Sequence, residues 1–419
     1  MFYDKISIVK RGDLMENKKP NNEYQRPNLF FYRTAQAISN IVATFIFKRK
    51  VIRNEIKDVK GPFIVIANHQ AAYDFVTLIG TCKRTMTFVI SNSFYQSLPI
   101  KGILDKLSVL PKQQFQTTIS DMKKIRAVIE AGEPVVVYPA GLMCEDGLST
   151  PIPAATCKLL KWLGVDVYMA KISGTYFAMP KWSSGFRPGK SVLDVYKLFD
   201  KDEIAEMDLE TIKEKTEEAL LFDAYREQEK LLVKYKKGNN VRGLENVLYV
   251  CPNCGKEFTI ALGGNEDTLY CTECGFSQTS DEYGFLHKNG DAGEEIRYVS
   301  DWSKLIYNSF KEKLSKGEET TISAKTDIHM VDPEKKKYVK VGQGTLTLNP
   351  EKFLIEGELN GEEVSLSIPI SKFPTLPFSP GKHLEIQDGQ TIYRCVFKDG
   401  KLVMKFINMV KIFFELKAK

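Results

Sequence analysis

Histidine and tryptophan are scarce in this chain, with four and three residues in 419. A multi-histidine metal centre is therefore hard to assemble, and each single imidazole gains weight as a candidate acid or base. Long apolar runs are missing too. In LFFYRTAQAISNIVATFIF (29–47), the uncharged part after Arg33 covers only fourteen residues, which is short for a spanning helix. Cysteine is too sparse, at eight residues, for a disulfide framework, and this points to a reducing compartment. The net charge is a mild +6. That suits an anionic membrane surface or a phosphorylated substrate, and it argues against a nucleic-acid partner. The opening residues have no uninterrupted apolar core and no small-residue cleavage site, so 1–28 reads as a polar tail and not as a secretory signal. There are no repeats or low-complexity tracts.

What is present is an α/β alternation. FIVIAN (63–68), TMTFVIS (85–91), KLSVLP (106–111), VVVYPAG (135–141) and VDVYMAKISG (165–174) read as strands. Helical segments lie between them at 74–81, 117–131 and 156–163. β-Branched runs with short intervening helices predict a mostly parallel sheet with helices on both faces. From Asp208 to Lys237 the alternating charges predict one long solvated helix, and Gly238-Asn239-Asn240 a linker. The first unit therefore spans 29–240. Residues 29–47, followed by Lys48-Arg49-Lys50, read either as a packed helix or as an amphipathic segment at a membrane interface.

A second pattern is stronger. Cys251-Pro-Asn-Cys254-Gly and Cys271-Thr-Glu-Cys274-Gly are two knuckles that supply four thiolates to one tetrahedral ion. Structural zinc is the expected occupant of this ribbon (246–287), with a rubredoxin-like iron as the alternative. Beyond it, a helix at 301–314 leads to strand-like segments TTISAKT, YVKVGQGTLTLN, FLIEGEL, EVSLSIP, FPTLPF, LEIQ and TIYRCVF, then a helical 402–416. This C-terminal mainly-β unit (300–419) resembles pleckstrin-homology or GRAM-like domains.

Chemistry concentrates where the first strand ends. In FIVIANHQAAYDF, His69 and Asp74 fall at a strand-to-helix junction, the place where open α/β sheets put their sites. A carboxylate there can orient the imidazole and stabilise its protonated form. The spacing alone is common. Three further blocks give it context.

NHQAAYD is similar to the N-H-x4-D signature of the phospholipid/glycerol acyltransferase family, which includes the lysophosphatidate acyltransferases. KGILDKLSVLPKQQ (101–114), VVVYPAG and VDVYMAKISG resemble further blocks of that family, in its order. The resemblance implies an acyl transfer with His69 as base and Asp74 as its orienter. It implies acceptor contacts at Asn68, Lys112, Pro139, Ala140 and Gly141, with backbone amides near Gly141 as phosphate or oxyanion donors. Two departures stand out. Ala140 occupies the usual Glu position of the turn, and Lys112 replaces an Arg, which keeps the charge without the planar fork. Glu145 and Asp146 lie just beyond and are candidates to substitute for the missing Glu. Cys144 reads as an inert thiol.

The expectation is an acyltransferase moving a fatty acyl group from acyl-CoA or acyl carrier protein to a lysophospholipid (1-acylglycerol-3-phosphate-like) or related lipid. It is expected to be cytoplasmic and peripheral on the inner face of the cell membrane. The alternative is a catalytically inactive lipid-binding or scaffolding protein with the same fold.

Overall fold

The computed structural model describes residues 24–97, 101–107, 109–112, 114, 118–235, 240–332 and 337–417. Most of the polar tail, and Gly238 and Asn239 of the expected linker, lie outside these residues.

The first sheet contains β1 (Lys50–Asn54), β2 (Phe63–Ala67), β3 (Thr87–Ser91), β4 (Val109–Lys112), β5 (Val135–Val137), β6 (Asp166–Ser173) and β7 (Val192–Phe199). Their order is β1-β7-β6-β2-β5-β3-β4. Every pairing is parallel except β6 with β7, so the expected mostly parallel α/β sheet is present. All five residues of β2 are buried. Successive side chains of a strand point to opposite faces, and the core divides accordingly. Ile64 and Ile66 pack with Ile125, Val128 and Leu160 on one face. Phe63, Val65 and Ala67 pack with Tyr32 and Leu78 on the other.

Three expectations need correction. β1 and β7 were not legible as strands, because near an edge they carry exposed and charged positions in place of an apolar run. They are joined by a forked ion pair, Arg53 Nε and Nη2 donating to Asp194 at 2.8 and 3.0 Å. The single helix expected at 208–237 is two, Leu209–Leu220 and Ala224–Leu231. Between them Phe222 is buried, its carbonyl accepting from the Ser149 amide, while Asp223 caps the second helix. FPTLPF yields only a two-residue strand, since Pro374 and Pro377 cannot donate to a ladder.

A second, antiparallel sheet holds β8 (Ile260–Leu262), β9 (Thr268–Cys271), β10 (Ser277–Ser280) and β11 (Leu286–Asn289). The third holds β12 (Ile322–Asp332), β13 (Lys337–Leu348), β14 (Lys352–Leu359), β15 (Glu362–Pro369), β16 (Phe378–Ser379), β17 (His383–Asp388) and β18 (Thr391–Phe397). It is antiparallel throughout, ordered β15-β14-β13-β12-β18-β17-β16. The helix Leu402–Lys417 follows it, burying Val403, Phe406, Ile407 and Val410.

One continuous apolar cluster joins the loops and helices beside the first sheet to the second and third sheets. It runs from Leu142 and Tyr176 through Tyr249 and Trp302 to Phe353 and Met409. A polar clasp sits within the same region. Lys411 Nζ of the last helix lies 2.8 Å from the buried Glu145 Oε1. Lys181 Nζ donates to the Met143 carbonyl (3.3 Å) and stands over the Phe378 ring. Desolvation lowers the Lys181 pKa to about 8. Burial alone would raise Glu145, yet Lys411 and Lys181 hold it below its ordinary value. Desolvation, together with the Glu145 charge, raises Asp146 to about 6, and its Oδ2 accepts from Ser303 at 2.6 Å.

Removing one member of such a pair leaves an uncompensated charge. Lys411→Met is expected to cost about 3 kcal/mol in urea denaturation, the lower end of the range for breaking a buried pair because Lys181 stays nearby. The double variant Glu145→Gln/Lys411→Met should recover most of that loss.

Candidate active site

The C-terminal ends of the parallel strands converge on one edge of the first sheet, and the expected site residues follow them. Asn68 leaves β2 and turns into the sheet. Its Nδ2 donates to the Ile172 carbonyl and its Oδ1 accepts from the Ile172 amide, both at 2.8 Å. This side chain pins the end of β2 to β6, so its visible work is positioning and not acceptor contact. His69 comes next, partly exposed, with 21% of its side chain accessible.

Asp74 is fully buried at the start of the helix Asp74–Leu78. Its Oδ2 lies 2.9 Å from His69 Nδ1 and accepts the Gln70 and Ala71 amides at 2.7 and 3.0 Å. The residues between His69 and Asp74 thus fold back to form a cradle for the carboxylate. With Nδ1 given to Asp74, a neutral imidazole keeps its proton there and presents Nε2 as the basic nitrogen.

The turn after β5 closes over this pair. The Tyr138 ring lies 4.5 Å from the His69 ring, tilted by 32°. The Gly141 amide donates to the Tyr138 carbonyl at 3.0 Å, and Gly141 has φ +67°, which a side chain would disfavour. That amide is committed to the turn, so it is not the free oxyanion donor expected from sequence. The Cys144 amide donates to the His69 carbonyl at 3.3 Å, tying the loop back to the histidine. Burial raises the Cys144 thiol pKa well above the ordinary value, consistent with an inert thiol. Glu145 and Asp146 are held by Lys411 and Ser303. They therefore do not replace the carboxylate missing at Ala140.

Lys112 ends β4 on the same edge, opposite Ser91 of β3. Burial lowers its pKa, opposed by the Asp121 charge. Two residues on, Gln114 Nε2 donates to the Gly141 carbonyl at 2.6 Å, which joins the second block to the Pro139-Ala140-Gly141 turn. Gln114 and Tyr138 were overlooked as site residues. The signals for them were there: both stand inside the blocks already singled out, Tyr138 where the usual turn has Phe.

Residues 47–183 match the family model described as Acyltransferase. This stretch is an acyltransferase domain. It takes in His69, Asp74, Lys112 and the Gly141 turn. Among solved structures, the chain is similar to the 1-acyl-sn-glycerophosphate (LPA) acyltransferase PlsC from Thermotoga maritima. The identity is 20%, the match covers 54% of this chain and 86% of that one, and the TM-score is 0.41. It is also similar to the Ran binding domain of the nuclear complex component Nup2 from Ashbya gossypii. There the identity is 17%, the match covers 23% of this chain and 97% of that one, and the TM-score is 0.19. No curated protein matches the chain.

Outside the acyltransferase domain, the four expected ligand thiols come together. The Sγ atoms of Cys251, Cys254, Cys271 and Cys274 all lie within 4.8 Å of one another. Cys251–Cys274 and Cys254–Cys271 are 3.6 and 3.8 Å apart. A tetrahedron of zinc–sulfur bonds has edges of about 3.8 Å. Gly255 (φ +71°) and Gly275 (φ +73°) make the tight knuckles, each amide donating to the carbonyl of the first Cys. Geometry and donor set therefore fit a metal ion.

Trp302 Nε1 donates to the Val250 carbonyl at 2.9 Å, next to Cys251, and its ring meets Phe276 edge-on. A strong chelator should therefore red-shift the Trp302 emission and lower the melting temperature, with the spectral change absent in Trp302→Phe. An unchanged spectrum with full loss of metal would contradict a folding role for the site.

Proposed function

We propose that this protein transfers a fatty acyl group from a thioester donor, acyl-CoA or acyl carrier protein, to a hydroxyl of a lysophospholipid-like acceptor. The observation that carries the reading is the His69–Asp74 pair, with Nδ1 on a fully buried carboxylate and the ring at the ligand-facing edge of the sheet. His69 Nε2 takes the proton of the acceptor hydroxyl as its oxygen attacks the thioester carbonyl. Asp74 fixes the tautomer and stabilises the imidazolium. When the tetrahedral intermediate collapses the thiolate departs, a leaving group that needs no strong acid. Lys112 and the Pro139-Ala140-Gly141 turn would meet the acceptor's polar end, and Asn68 holds the strand from which His69 projects.

The remaining parts support the same reading. Residues 29–240 would be the catalytic unit, 246–287 a ribbon folded on zinc, with iron the alternative occupant of the same four-thiolate geometry, and 300–419 a unit that shapes its surroundings. The helix Leu29–Ile41 and the turn Val42–Ile46 bury Tyr32, Gln36 and Ala43, while Leu29, Phe30, Ile38, Ile41 and Phe45 remain exposed. Arg33, Lys48 and Lys50 are exposed along the same stretch. No helix among the described residues is long and apolar enough to cross a membrane. An apolar face with flanking cations suits an interfacial position on an anionic, inner-leaflet surface. Phe47 links this face to the site, stacking on Tyr73 at 4.1 Å beside Asp74.

Two outcomes are expected. His69→Ala and Asp74→Asn should each lower kcat on the order of 10²–10⁴-fold in a labelled acyl-CoA assay with a panel of lysolipids. Equal turnover by wild type and His69→Ala would overturn His69 as the base, and no turnover by the wild type on any acceptor would leave a lipid-binding scaffold as the better reading. Phe30→Ser/Phe45→Ser should weaken sedimentation with anionic vesicles by roughly tenfold or more, because each buried Phe contributes about 1.5–3 kcal/mol.

A further inference from the structure

Three buried polar atoms around the His69–Asp74 pair have no hydrogen-bond partner among the described residues: Asp74 Oδ1, Gln70 Nε2 and the Tyr138 hydroxyl. Buried polar groups in folded proteins are nearly always bonded, to protein or to ordered water, because an unbonded one destabilises the fold. The needs of these three are complementary. A carboxylate oxygen can only accept, while an amide nitrogen and a phenol can donate. Asp74 itself is lopsided. Its Oδ2 accepts from His69 Nδ1 and from the Gln70 and Ala71 amides, and its Oδ1 from none of the described residues.

Elimination picks out the donor. The Asp74 charge raises Tyr73, Tyr138 and Cys144 beyond what burial does alone, so all three stand within its reach. The Tyr73 hydroxyl is engaged, donating to the Thr175 carbonyl at 3.0 Å. A thiol such as Cys144 is a weak donor. The Gln70 head is turned to the Thr175 side, its Oε1 accepting from Thr175 Oγ1 and from the Tyr176 amide, both at 3.3 Å. Thr175 follows β6, on one side of β2. Tyr138 follows β5, on the other side. Its ring lies against the His69 ring at 4.5 Å, and burial together with the Asp74 charge keeps the phenol protonated. It therefore remains a donor, next to an acceptor that lacks one.

We propose that Tyr138 is a positioning residue for the His69–Asp74 pair: its hydroxyl donates to Asp74 Oδ1 through one internal water, and so holds the carboxylate with Oδ2 on His69 Nδ1. The effect on turnover rests on the acyl-transfer reading, to which this adds a third member of the reacting group. A water between two buried polar groups is nearly as good as a direct bond. A carboxylate anchored through one oxygen is free to turn about its last bond. A second anchor fixes its plane, and with it the plane of the imidazole. The usual turn has Phe at this position, so the hydroxyl is this chain's own addition, and removing it restores a residue that the turn accommodates.

Stability of the full-length protein decides the pairing without catalysis. Removing a buried hydroxyl that bonds nothing stabilises a protein, whereas removing one that serves a carboxylate destabilises it. In urea denaturation Tyr138→Phe should raise the unfolding equilibrium constant about tenfold, the scale of one hydrogen bond to a charged group. In an Asp74→Asn background the same change should have an effect about fivefold smaller, as for neighbours that interact. A more stable Tyr138→Phe, or an undiminished loss beside Asp74→Asn, overturns the pairing. The low-field proton resonance of His69 Nδ1 should move in Tyr138→Phe and stay in place in Gln70→Leu. The reverse pattern assigns the donor to Gln70 and overturns the proposal, as does a resonance that neither variant moves. With labelled acyl-CoA and a lysolipid acceptor, Tyr138→Phe should lower kcat about tenfold with KM retained. An unchanged kcat overturns the positioning role and leaves acyl transfer standing. If the wild type turns over no acceptor, the acyl-transfer reading fails, and the stability and resonance arms still decide whether Tyr138 holds Asp74.

Discussion

The contact between Lys411 and Glu145 fixes how the parts of this molecule sit together. Lys411 belongs to the last helix among the described residues, and Glu145 follows Gly141 by four residues. An ion pair in apolar surroundings tolerates little displacement, because either charge alone would be poorly solvated. The same helix reaches the cysteine module through Lys405 to Glu257 (2.6 Å) and Asn408 to the Tyr249 hydroxyl (3.3 Å). Its Glu415 accepts from Tyr307 of the helix Val299–Ser315 at 2.7 Å. One helix thereby touches the loop after Gly141, the cysteine module and the helix Val299–Ser315.

This arrangement bears directly on the site. The loop after Gly141 is tied at one end to His69 through the Cys144 amide and at the other to the C-terminal helix through Glu145. A shift of the last helix would therefore be felt at the loop that encloses the imidazole. The metal-ligand cluster adds to the same frame, since Val250 beside Cys251 is held by Trp302, on the helix whose Ser303 bonds Asp146. The ribbon then shares its apolar cluster with residues of the first unit, Tyr73 of the histidine's block among them.

What could be read from sequence followed local signals. The five-residue run Phe63–Ala67 admits little other than a central parallel strand. The His69-to-Asp74 interval and the two C-x-x-C knuckles are short enough for spacing to dictate geometry. The apolar periodicity of 402–416 likewise specified a helix that covers a sheet. What escaped depended on partners distant in the chain. β1 and β7 are strands because they pair with one another, and β7 also pairs with β6. The break at Phe222 exists because residues 147–149 take up its backbone. Glu145 looked available for the acceptor because its partner lies 266 positions away.

The substitution at Ala140 has a physical consequence once these partners are known. A carboxylate in that turn would place a charge beside the acceptor. Here the turn is apolar, and the nearest acidic side chains, Glu145 and Asp146, are drawn into the interface behind it. The His69–Asp74 pair thus lies wholly within the first unit, between the end of β2 and the start of the helix Asp74–Leu78, while the acidic residues beyond the turn are taken up by the units that follow. That division explains why the His69–Asp74 spacing reads clearly in the sequence while the fate of Glu145 does not: a five-residue interval fixes its own geometry, whereas a partner 266 positions away cannot be read from spacing.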